Sequence, residues 1–250
     1  MASAYSPKSQ RYKPNIRTWT HCLAILFLII CWALILAVLL GSAPYTSSLT
    51  AGRAADIPWL AYINQTDHAP TSKFGLDSAG EFTLQRWGFG PWGYCAWDYN
   101  AVHMEMTAAC IKQGGWELPS NNGMIPDDPR VSLLAAVGWW IALVISFFHP
   151  GPAKPNPNGP AIAKREGWEG NLSFALRGGL GWCCCGMVAV FGIIPVIVAS
   201  AGVGQVNNAD GLTGSIGMGS GMLIAAVALA FATQVLAWKW TKGGLRVRKR

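Results

Sequence analysis

Long apolar runs alternate with polar stretches along the chain. Four blocks, at 19–40, 131–149, 180–203 and 216–238, contain no Asp, Glu, Lys or Arg. Each is long enough, as a helix, to cross a hydrocarbon layer of about 30 Å. Helices are the form expected there, because lipid offers no partner to an open backbone. The pattern therefore predicts an all-α transmembrane four-helix bundle. Between the blocks lie a basic segment at 1–18, a loop at 41–130, a Pro-rich loop at 150–179, a short polar loop at 204–215 and a basic tail at 239–250.

The loop at 41–130 is too long for a connector and large enough to fold as a small domain. Within it, Glu81–Trp87 alternates with Phe82 and Leu84 on one face, as a half-buried strand does. Gly93–Tyr99 reads as a second strand and Trp116–Leu118 as a third. Gly88, Gly90, Pro91 and Gly93 make the first connection tight. The connection at 204–215 is expected to be a short polar outer loop, with Asp210 its only charge. In the last block, Gly217-x-x-x-Gly221 is a spacing that lets helices approach closely. Pro195 is expected to bend the third helix.

Charge orients the bundle. Of the 19 Lys and Arg residues, 14 fall in the two termini and the middle loop, which share one side when the spans number four. By the positive-inside rule that side is cytoplasmic. The first loop, with nine acids against five bases, is then outside. The net charge of +7 thus reads as topology and contact with anionic membrane lipids rather than nucleic-acid binding. Gly41-Ser42-Ala43 resembles a signal-peptidase site, yet the preceding run is longer than a signal-peptide core, so the first helix is expected to remain.

Outside placement has two consequences. Cys95 and Cys110, the two cysteines of the first loop, meet an oxidising environment and are expected to pair. Asn64-Gln65-Thr66 becomes a glycosylation acceptor, whereas Asn171-Leu172-Ser173 faces the cytoplasm. Cys183, Cys184 and Cys185 are adjacent and cannot converge on one tetrahedral metal. They are either palmitoylation candidates near the inner membrane face or small residues that admit a neighbouring helix. Cys22 is a weaker candidate of the same kind.

Reactive chemistry is sparse. The four histidines are scattered, and no paired-histidine, nucleophile-elbow or phosphate-loop motif stands in a suitable context. His103-Met104-Glu105-Met106 could offer soft ligands to copper, but core packing beside a surface His explains it more simply. Thr233 and Gln234 are the strongest polar groups within a block, so no charged proton or ion path is expected. The expectation is a non-catalytic protein without metal or cofactor.

Trp87, then Gly90-Pro91-Trp92-Gly93, then Cys95 and Cys110, ahead of three further spans, resemble the claudin-like four-transmembrane superfamily. Its signature is a Trp, a Gly-Leu-Trp and two cysteines in the first outer loop; here Pro91 stands in the place of the Leu. Phe89-Gly-Pro-Trp-Gly-Tyr-Cys95 looks closest to the fungal branch, the PalI and cortical-patch (eisosome) membrane proteins. The resemblance implies an extracellular β-sheet built mainly from the first loop, stapled by the disulfide and seated on a left-handed bundle. It also implies a plasma-membrane protein that organises membrane domains or cell-surface contacts by lateral association with itself or other membrane proteins. Trp87 and Trp92 are expected to anchor the sheet at the lipid surface. An ion-flux component, either a pore or a channel modulator of the calcium-influx regulator type, is the alternative, since the acidic outer loop could gather cations.

Overall fold

The computed structural model describes residues 16–41, 49–65, 85–98, 108–112, 129–148, 176–208 and 211–247. The long helices are α1 (Ile16–Gly41), α3 (Pro129–Phe148), α4 (Gly181–Val206) and α5 (Met218–Val247), with a short α2 (Ala51–Ala55) after the first. Leu176–Leu180 forms a π-helical turn leading into α4. Each long helix contains a stretch apolar enough to cross a membrane: Trp19–Gly41, Pro129–Phe148, Gly178–Val206 and Met218–Trp238. The four expected blocks are therefore helical over most of their length, with 149 outside the described residues and Ile216 closing the last strand instead. Pro129 opens its helix instead of ending the preceding loop, as suits a residue with no N–H to leave unpaired. Helix α4 continues through Pro195.

Apolar side chains surround these helices, so sequence periodicity did not reveal the inner stripe. Burial does. In α4 the enclosed positions include 181, 185, 188, 192, 195, 199, 202 and 206, alternating steps of four and three. That repeat of 3.5 is the seam of left-handed supercoiled packing. Helix α1 packs on α5 and α3, and α4 packs on α3 and α5. Trp140 stacks on Trp32 with ring centroids 5.6 Å apart. Its indole N–H also donates to the Leu28 carbonyl at 3.2 Å, tying α3 to α1.

A five-stranded antiparallel sheet covers one end of the bundle. Its strands are β1 (Ala61–Gln65), β2 (Gln85–Gly90), β3 (Gly93–Asp98), β4 (Ala109–Lys112) and β5 (Leu212–Ile216). The spatial order is β4-β3-β2-β1-β5. Expected strands at 81–87 and 93–99 correspond to β2 and β3, although 81–84 and 99 lie outside the described residues, as does 116–118. Strands β1 and β4 were not foreseen. The expected loop at 204–215 is corrected: its start completes α4 and its end is β5, hydrogen-bonded along β1 with Ile63 opposite Gly214. The sheet thus takes one edge from between α4 and α5, so it is not the first loop's alone. Because the segments between α1 and α3 and between α4 and α5 both join one sheet, the opposite end of the bundle carries the start of α1 and the end of α5. At that end Trp19, Trp182 and Trp238 are exposed on three helices, the positions of an aromatic belt.

Cross-strand register assigns the two faces. Ala61, Ile63, Trp87, Phe89, Tyr94 and Ala96 share the face buried in the same core as the helices. Tyr62, Asn64, Arg86, Gly88, Cys95 and Trp97 point the other way. Over Cys95 and Trp97 on that outward face, Ala51, Ala54, Ile57, Trp59 and Ala108 build a second, smaller core. The sheet is a middle layer between the bundle and a cap made of α2 and the chain that follows it.

Candidate interaction surface: a stapled sheet and its seat

Cys95 and Cys110 are direct partners in the β3–β4 register and form a disulfide. The bond lies on the outward face and ties the edge strand β4 to the interior of the sheet. The four remaining motif positions take distinct places. Trp87 is fully enclosed on the bundle side, so its expected position at the lipid surface is corrected. Sequence could not place it, because a strand's two faces differ only by register. Gly90 and Gly93 are paired across the β2–β3 turn, and Gly93 has φ 141°, a backbone state that favours glycine. Trp92, at the turn itself, donates its indole N–H to the carbonyl of Leu39 in the last turn of α1. That carbonyl has no partner within its own helix. The Arg130 guanidinium, in the first turn of α3, lies 5.6 Å from the Trp92 ring centre. The hairpin tip therefore bridges the outer ends of α1 and α3.

A second seat was missed altogether. The irregular chain Pro58–Leu60 lies against the start of α5. Gly217 N–H donates to Leu60 O at 2.9 Å, Gly219 N–H to Trp59 O at 2.8 Å, and Ser220 Oγ–H to Leu60 O at 2.9 Å. On the sheet side, Leu60 N–H donates to Phe89 O at 2.8 Å. Of helix α5's otherwise unpaired first N–H groups, that of Gly219 is thus satisfied by the cap, while Ser220 N–H donates to Gly217 O at 3.2 Å. A Cβ at Gly217 would run into Trp59 O, and one at Gly219 into Pro58 O. The glycines serve this backbone contact, whereas Gly221 has open space around it. The expected helix–helix role of the Gly217-x-x-x-Gly221 spacing is corrected accordingly. The signal available in sequence was the apolar run Ile57-Pro58-Trp59-Leu60 inside a polar loop.

Trp59 organises the outward face. Its indole N–H donates to Ala54 O at 2.7 Å, and its ring lies over Gly88 and near Trp97, with centroids 6.3 Å apart. Tyr62 meets Trp97 edge-on and carries the Arg86 guanidinium 4.4 Å above its own ring. The Tyr62 hydroxyl donates to Ile57 O at 3.3 Å. Burial pushes its pKa up, Arg86 pulls it down, and Asp56 pushes it up again. Arg53 and Asp56 are exposed on the cap.

At the β5 edge, the Asn207 side chain accepts from Gly214 N–H at 2.6 Å and donates to Gly214 O at 3.3 Å. An amide occupies the place of a further strand there, which blunts the edge. Asn64 is the last residue but one of β1, half-buried on the outward face. Of the adjacent cysteines, Cys183 is exposed while Cys184 and Cys185 are buried in the core; Cys22 is exposed and Cys31 buried. His103-Met104-Glu105-Met106 lies outside the described residues, and among those described no group of three His, Cys, Asp or Glu side chains is placed to hold a metal. What the assembled residues offer is a braced surface, rich in backbone contacts.

A scan of protein-family models and a search of curated proteins each find no match to this chain.

Proposed function

We propose that this chain is a non-catalytic plasma-membrane protein of the claudin-like class, close to the fungal PalI and cortical-patch branch, that organises membrane domains or cell-surface contacts through its outer sheet. The observation that carries the reading is the double seat of that sheet. Trp92 joins it to α1, and the Pro58–Leu60 backbone joins it to α5. A surface braced in this way loses little conformational entropy when it meets a partner. The contacting groups in this reading are the cap residues Arg53 and Asp56, and the partners are copies of the chain or other membrane proteins.

The test is the distribution and conductance of the full-length protein. Fluorescently tagged protein in its native membrane is expected to occupy slowly exchanging patches. Arg53→Glu combined with Asp56→Lys is expected to disperse them at unchanged protein level. Uniform, freely diffusing wild-type protein overturns the proposal. So does a selective conductance from purified protein in planar bilayers, which would favour the ion-flux alternative.

A further inference from the structure

We infer that Asn64 carries an N-linked glycan whose first N-acetylglucosamine packs on the outward face of the sheet against Arg86 and Tyr62. The sequence supplies an acceptor, Asn64-Gln65-Thr66; the structure supplies its direction and its surroundings. Asn64 stands opposite Arg86 on β2 and Thr213 on β5, and Tyr62, two residues back, shares its face. That face is turned away from the helices. The Asn64 Oδ1 is enclosed and accepts no hydrogen bond. Asn64 as a whole is only half-buried, so part of the residue reaches the outward surface. Transfer joins the anomeric carbon of a lipid-pyrophosphate-linked oligosaccharide to Nδ2. The sugar–phosphate bond breaks, the lipid pyrophosphate leaves, and Nδ2 gives up one proton.

Facing residues in a sheet have Cβ atoms about 4.5–5.5 Å apart. A sugar on Nδ2 therefore starts within reach of Arg86 and Thr213. The Arg86 guanidinium, held 4.4 Å over the Tyr62 ring, makes with it a flat shelf for a sugar ring to pack on. The Thr213 hydroxyl donates to the Asn64 backbone carbonyl at 3.5 Å, closing the shelf on the β5 side.

The inference rests on the sheet end being the non-cytoplasmic one, and the experiment separates the two. Full-length protein is made in a eukaryotic cell and treated with peptide-N-glycosidase. Wild type is expected to lose the mass of one glycan. Asn64→Gln and Thr66→Ala are expected to run at the stripped position before treatment, and Thr66→Ser to keep the sugar. A second acceptor is built on the exposed cap with Arg53→Asn and Ala55→Thr. Sugar there with none at Asn64 overturns the site and leaves the orientation standing. Sugar at neither, or on Asn171, overturns the orientation and the site with it. For the shelf, protein trimmed to a single N-acetylglucosamine is expected to melt with the fully glycosylated form. Thr66→Ala is expected to melt roughly 2–4 °C lower, with Thr66→Ser restoring the difference. Equal melting of glycosylated wild type and Thr66→Ala overturns the packing.

Discussion

At Gly88 a Cβ would stand 2.5 Å from the Trp59 indole nitrogen, closer than real side chains approach. The residue is small because a ring from the cap occupies its place on the strand. Gly88→Ala forces Trp59 off the sheet and strains its hydrogen bond to Ala54; overpacking of this kind costs about 1–3 kcal/mol. The expected result is a Tm lowered by several degrees. Gly221→Ala, in open space on α5, is expected to leave Tm unchanged or slightly raised, as helix propensity favours alanine. Equal effects from both would contradict the placement of Trp59. Tyr62 gives a second residue-level test. Its phenol is held above the ordinary value of 10.0, mainly by burial. The folded protein thus prefers the neutral phenol, and this preference costs nothing below pH 10. As pH rises past 10 the unfolded chain ionises first, so stability falls. Melting measured from pH 8 to 11 is expected to decline more steeply in wild type than in Tyr62→Phe.

At the scale of elements, the spans were readable because lipid leaves a long apolar run few choices. The seam inside each span was not, since side chains on every face are equally apolar. Strands β2 and β3 showed themselves through alternation and a Gly/Pro turn. Strand β1 carries Asn64 and Gln65 at its end and finds its neighbour β5 roughly 150 residues away, and such a non-local pairing leaves no local mark. Gly217 and Gly219 were visible as small residues, but what they made room for was a backbone segment from another part of the chain. The disulfide was legible from cysteine usage, and its structural role follows from the register. It closes a separation of 15 residues, worth about 3 kcal/mol in the chain-entropy model. Replacing both cysteines with alanine is expected to lower the sheet's unfolding temperature while far-ultraviolet circular dichroism retains its helical signal. Simultaneous loss of both signals would mean that the bundle depends on the sheet.

For the whole molecule, both inter-helix segments at one end are woven into a single layer, and the opposite end holds the start of α1 and the end of α5, with an exposed Trp on each of three helices. Fourteen of the 19 basic residues belong to the segments on the termini side. Moving that many cations across a bilayer is disfavoured by the rule that retains Lys and Arg in the cytoplasm, so the sheet is expected to face out. The disulfide offers a reporter that needs no mutation, because the other five cysteines lie in the long helices. Intact cells are treated with an impermeant phosphine reductant and then with an impermeant maleimide. New label on peptides containing Cys95 and Cys110 is the expected outcome, equal in extent before and after permeabilisation. Label that appears only after permeabilisation would put the sheet in the cytoplasm. In that compartment thiols are kept reduced, so the same peptides would then take up label without any reductant.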